Sequence, residues 1–237
     1  MKTGEWKRVW AVAWKDLLTE RRAKAAFNAM AFFAGLVLFT FGFALGPDLP
    51  APTPGLGEGP LLRQLAPGLL WVTILFAGVL AVDRSFQLEL ERGGLDGLRL
   101  FPGDRKAVYL GKLFANLAVM VLMELLILPI AAILYGLDLW TRAPALAGVA
   151  LLATLGFAAM GTFYAALTAN LRARQVLLPL LLFPVLIPIV LAAVKATSLV
   201  LQGDPMDQLG SWVKLLGAAD LLFLTVCMLT FEHVLEE

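Results

Sequence analysis

Between Val176 and Leu199 the chain reads VLLPLLLFPVLIPIVLAAVKATSL, an apolar run broken by a single charge, Lys195. Wound as a helix at about 1.5 Å per residue it is about 36 Å long, enough to cross about 30 Å of hydrocarbon. Runs of similar length and character lie at 27–46, 66–83, 110–135, 145–169 and 211–231. With 176–199 they make six spans. The whole chain has 237 residues, 60% apolar and 16% charged, with a mean hydropathy of +0.82. A soluble domain would hold about 25% charged residues. No run shows the ten-residue apolar and polar alternation of a membrane barrel, and backbone polar groups in lipid must pair within the chain, so the spans read as helices. The expected fold class is all-α, a polytopic membrane protein of one domain over residues 1–237.

Composition excludes several chemistries. One cysteine, Cys227, and one histidine, His233, allow no internal disulfide, CxxC pair or His-based zinc motif. No GxxxxGK[ST] run is present, so hydrolysis of ATP by a P-loop is not expected of this chain. A net charge of +1 gives no basic field for nucleic acid. Seven Lys or Arg precede the first span, which argues against a cleaved signal peptide.

Those seven charges also set direction. Six more lie between Arg84 and Lys112 and two at Arg172 and Arg174, against only Arg63 and Arg142 in the alternate loops, while Lys195 and Lys214 fall near helix ends where they can snorkel. The positive-inside rule then places both termini in the cytoplasm. Ahead of the first span, Trp6, Val9, Trp10, Ala13, Trp14, Leu17 and Leu18 recur at helical spacing among charges, the pattern of an amphipathic helix lying in the interface. The outer stretch PDLPAPTPGLGEGP (47–60) reads as an irregular spacer.

The largest inside segment, 84–112, interleaves Phe86, Leu88, Leu90, Leu95, Leu98, Leu100 and Phe101 with charges, and Gly93-Gly94 and Pro102-Gly103 interrupt it. Two short amphipathic pieces joined by a bend are expected, presenting a docking surface, since a purely solvated loop gains nothing from such apolar residues. Within the spans, Glu124 and Asp220 fall at similar depth near mid-membrane. Exposure to lipid would cost each about 2 to 3.5 kcal/mol, so both should face the interior. Glu124 shares its face with Asn116, Met120 and Met123, and Asp220 with Gly217, Leu224 and Cys227. They suit a polar pathway, a conformational latch or a packing element. Thr154, Ala158, Thr162, Ala166 and Asn170 form a small-residue row for close helix packing. Pro179, Pro184 and Pro188 each remove a backbone donor and bend the fifth span, as a fixed bend or a hinge.

The run LAPGLLWV (65–72), then AVDRSF (81–86), ERGGLDGLRLFP (91–102), Gly111-Lys112 and FPVLIP (183–188) resembles the cytochrome c maturation protein B family (CcmB). The resemblance covers most of the chain in order, less the extreme N-terminus and the 47–60 loop. It implies the transmembrane permease subunit of an ABC-2-type transporter in the bacterial inner membrane. It further implies a coupling helix in 84–112, carried by Glu91, Gly94, Leu95, Asp96, Leu98, Arg99 and Pro102, that seats in a separate CcmA-like ATPase. ATP and Mg would belong to that ATPase, with no cofactor on this chain. The other implied partners are CcmC-like and CcmD-like membrane subunits, a haem-loaded CcmE-like chaperone and a second copy of the chain. Haem iron is held by His, Cys, Met or Tyr, and with His233 at the inner end of the last span no tight haem ligation is expected. Two rival readings are an ABC-2 permease with another cargo, such as a lipid, polysaccharide or drug, and an intramembrane enzyme using Glu124 and Asp220 as acid and base; no nucleophile or metal set accompanies that pair.

The orientation is checked by cysteine labelling. Thr53→Cys on a Cys227→Ala background should react with a membrane-impermeant thiol reagent in intact cells. Reaction only after permeabilisation would reverse the topology.

Overall fold

A computed structural model describes residues 3–46, 49, 60–91, 105–138, 141–169, 171 and 173–234. Seven helices account for nearly all of them: α1 Thr3–Ala23, α2 Ala25–Leu45, α3 Leu61–Glu91, α4 Arg105–Tyr135, α5 Ala143–Thr168, α6 Arg174–Gln202 and α7 Leu209–Val234. Among the described residues, six helices are long and apolar enough to span a membrane, and they are α2 to α7. The protein is therefore a multi-pass membrane protein. Large apolar side chains such as Phe32, Phe43, Ile133 and Leu221 point outward, as surfaces facing lipid do.

The helices end where local chemistry stops them. Lys24 adopts a left-handed conformation (φ 52°), which separates α1 from α2 at a sharp corner. Across that corner the Glu20 carboxylate accepts the amide of Phe27 at 2.9 Å, so a residue of α1 caps the start of α2. Asp204 accepts the amides of Gln208 and Leu209, both at 2.8 Å, and caps α7. Arg142 Nη1 donates to the carbonyl of Val200 in the last turn of α6.

Of segment 84–112, residues 84–91 continue α3 and 105–112 open α4, while 92–104, where the bend and the second amphipathic piece were expected, lies outside the described residues. No breaker precedes Gly93, and Gln87 joins Asp83 (3.1 Å) and Arg84 (2.8 Å) across single turns, which extends the helix beyond the apolar run. Pro179, Pro184 and Pro188 all lie within α6, which is assigned as one helix through them, with a buried row of Leu178, Leu182, Leu186 and Ile189.

Helix α1 packs chiefly on α4, and only slightly on α2. Its apolar residues split between two directions. Val9, Val12 and Ala13 are buried in the α4 seam, whereas Trp6, Trp10 and Trp14 are 54%, 63% and 53% exposed. The two backbones approach at Gly111, where a Cβ would lie 2.6 Å from Val12 Cβ and 2.9 Å from the Val9 carbonyl oxygen. Around α5 the other spans close up, with α6 and α7 on it and α3 and α4 beside it.

Replacing Gly111 by Val forces this crossing apart, at a cost of about 1 to 3 kcal/mol. The variant should still insert, but α1 should detach, seen as faster tryptic cleavage at Arg21 and Arg22 in the purified protein. Gly35→Ala, where a Cβ meets nothing within 4 Å, should leave the cleavage rate unchanged.

Candidate functional site

Polar side chains gather in two places, at mid-membrane around α5 and at the end of the bundle that carries α1. At mid-membrane the small-residue row of α5 is buried, with Thr154, Ala158 and Thr162 wholly so. Its threonines do more than save space. Thr154 Oγ1 donates to Glu124 Oε1, and Asn116 Nδ2 donates to Thr162 Oγ1 at 3.0 Å. The two bonds join antiparallel α4 and α5 at two levels, with Met120 and Met123 buried between Asn116 and Glu124. Asn116 and Glu124 thus face the interior, as their depth demands.

Asp220 is also buried, but neither of its carboxylate oxygens has a hydrogen-bond partner among the described residues. It lies against α5 at Gly156, where a Cβ would come within 2.3 Å of Asp220 Oδ1 and 2.5 Å of the Ile189 methyl. Glycine is what lets the carboxylate enter between α5, α6 and α7. Thr154 and Gly156 point about 200° apart around their helix. Glu124 and Asp220 therefore meet α5 on different sides, and nothing joins them as an acid and base pair. Farther along α7, the Cys227 thiol donates to Met160 Sδ at 3.5 Å, next to Tyr109, whose hydroxyl donates to the Ala159 carbonyl at 3.1 Å. No three His, Cys, Asp or Glu among the described residues gather into a metal-sized group.

At the α1 end two ion pairs stand where loop charges were expected. Lys112 is wholly buried: its ammonium donates to Asp16 Oδ2 of α1 at 3.0 Å and sits 4.7 Å from the centre of the Phe86 ring of α3. Arg174, at the start of α6, grips Asp83 of α3 through Nε (3.1 Å) and Nη2 (2.9 Å), and Nη2 also donates to the Asp83 carbonyl at 2.8 Å. Removing one member of such a pair strands a buried charge, at a cost of about 3 to 5 kcal/mol. Charge counting treated Lys112 and Arg174 as topology signals. The available clue to Lys112 was its place in the apolar stripe of LGKLF (110–114), where a solvated lysine is out of register.

Residues of the quoted motifs meet along α3 and α6. Trp71 Nε1 donates to Thr197 Oγ1 at 2.8 Å, Phe76 packs edge-on against Phe183 with centroids 5.3 Å apart, and Asp83 holds Arg174. This ladder runs antiparallel down most of the α3 span. Gly94, Leu95, Asp96, Leu98, Arg99 and Pro102 of the expected coupling segment, with Asn170 and Arg172, lie outside the described residues, and Glu91 is the last residue of α3. Pro184 and Pro188 sit on the exposed side of α6.

A double-mutant cycle checks the mid-membrane bond. Glu124→Gln and Thr154→Val, alone and together, should show a coupling of about 0.6 to 1.7 kcal/mol when unfolding of the solubilised protein is followed. Additive losses would mean that the two side chains do not support each other.

A model of the CcmB protein family matches residues 7–237. Relatives called "Heme exporter protein B" include one from Pseudomonas aeruginosa, 33% identical over 202 residues that cover 85% of each chain. Another, from Paracoccus denitrificans, is 34% identical over 82% of this chain and 85% of its own. That of Escherichia coli K12 is 31% identical over 88% of this chain and 89% of its own.

Proposed function

Because the chain belongs to the CcmB protein family, we propose that it is the transmembrane permease subunit of an ABC transporter serving cytochrome c maturation. The observation that carries the reading is the family match over nearly the whole chain. The relatives' name supports haem as what the system handles, exported directly or delivered through ATP-driven release of a haem-loaded chaperone. The chain itself supplies no ATP site and no cofactor in this reading. Hydrolysis, with ATP and Mg, takes place on a separate CcmA-like subunit.

The topology follows from charge. Both termini and the 92–104 segment face the cytoplasm of a bacterium, and the multi-pass domain lies in its inner membrane. Leu95 and Leu98, framed by Glu91, Gly94, Asp96, Arg99 and Pro102, enter a groove on the ATPase. Two copies of the chain on an ATPase dimer satisfy the two-fold symmetry of such a motor. CcmC-like and CcmD-like membrane subunits and a CcmE-like chaperone complete the assembly. Inside the bundle, Asp220 is the polar element that rearranges while Asn116 and Glu124 hold α4 on α5, and Pro179, Pro184 and Pro188 give α6 its compliance, since each leaves a carbonyl without its intrahelical donor.

Polar substitution in the groove removes apolar burial worth roughly 1.5 to 3 kcal/mol per leucine. Leu95→Asp with Leu98→Asp should therefore yield an inserted subunit that no longer co-purifies with the ATPase or stimulates its hydrolysis. Retained association with normal stimulation would remove 92–104 from the coupling role.

A further inference from the structure

The two helices that hold the 92–104 segment are each tied elsewhere by a buried charge, α3 to α6 through Asp83 and Arg174, and α4 to α1 through Lys112 and Asp16. The second tie has a particular geometry. Lys112 lies about two turns into α4, close behind the segment. Its ammonium is sealed from solvent between the Asp16 carboxylate of α1 and the Phe86 ring of α3, so one group touches both helices flanking the segment and the first helix as well. α1 is otherwise joined to the bundle mainly through its seam on α4, and it turns Trp6, Trp10 and Trp14 away from that seam. Trp10 and Trp14 stack with centroids 6.3 Å apart, forming a continuous aromatic edge of the kind that rests at the headgroup level.

We propose that Asp16, acting through Lys112, is a positioning residue for coupling: it fixes the α4 end of the 92–104 segment to a helix anchored at the membrane surface. This rests on the reading of that segment as the ATPase docking element. The physical logic is one of leverage. A segment pushed by an ATPase transmits force into the spans only if its base cannot slide, and the bonds of α4 to α5 at Asn116 and Glu124 lie deeper in the bundle than that base. The bond to Asp16 couples α4 to a body whose tryptophans resist leaving the interface, and it cannot slip without stranding the Lys112 charge among apolar neighbours. Asp16 also stays within 3.3 Å of the Lys15 ammonium, which keeps its carboxylate paired at the rim while its other oxygen faces inward.

The test uses the chain co-expressed with the ATPase of its own cytochrome c maturation set. Asp16→Asn, Lys112→Met and the double variant are compared for insertion, ATPase co-purification and stimulation of hydrolysis. Asp16→Asn leaves the Val9, Val12 and Gly111 seam untouched, so it carries the test alone if Lys112→Met fails to accumulate. Expected is retained co-purification with stimulation reduced about fivefold or more in each single variant, and no further loss in the double, because both act through one bond. Three results overturn the proposal: normal stimulation in Asp16→Asn, loss of co-purification in that variant, or additive losses in the double. The docking reading fails separately, if Leu95→Asp with Leu98→Asp keeps its ATPase.

Discussion

In hydrocarbon a polar group has no water to fall back on, and most of this architecture answers that constraint. The backbone meets it by winding into helices. Side chains meet it locally or across helices: Thr73, Thr168, Thr225 and Thr230 donate to the carbonyl four residues back, while Thr154, Thr162 and Thr197 serve Glu124, Asn116 and Trp71 of neighbouring helices. The first group costs no tertiary precision. The second works only where two helices are held at one separation, and these bonds define the register of α3 on α6 and of α4 on α5.

Close approach is what brings such short side chains into reach. On α5 the row from Thr154 to Ala166 lets α4 come near enough for Asn116 and Glu124 to find hydroxyls, and Gly156 opens the far side to Asp220. Gly111 does the same for α1 on α4, and this crossing carries Asp16 to Lys112. Asp220 stands apart, with both oxygens unpartnered among the described residues and one of them close against α5 at Gly156. A group satisfied by its surroundings resists rearrangement, whereas one left unsatisfied favours any conformation that supplies a partner.

The ends of the bundle differ in how they are fastened. At the α1 end, buried ion pairs bind α1 to α4 and α3 to α6 on both sides of the 92–104 segment. At the opposite end, an arginine to carbonyl bond from Arg142 to Val200 and the Asp204 cap secure the helix termini. A transporter driven from one face needs stiffness there, because force delivered to a loose loop is dissipated before it reaches the spans. Both buried ion pairs sit at the end where α3 gives way to α4, the end of the segment proposed above to dock on the ATPase.

The amino-acid sequence by itself determined the number of spans, their order, the burial of Glu124, Asp220 and Asn116 and the family, because length, hydropathy and motif order are properties of a chain read one residue at a time. Helix ends were less legible: α3 runs beyond the apolar run to Glu91, because a change in polarity alone does not stop a helix. Pairing was out of reach. Nothing in the spacing of Asp16 and Lys112, ninety-six positions apart, or of Asp83 and Arg174, ninety-one apart, marks them as partners, and as isolated charges they count only toward topology. Tertiary structure decided that they meet, and likewise that the aromatic and aliphatic residues of α1 serve different surfaces, since the helix period places both on one broad face and only the seam at Gly111 separates them.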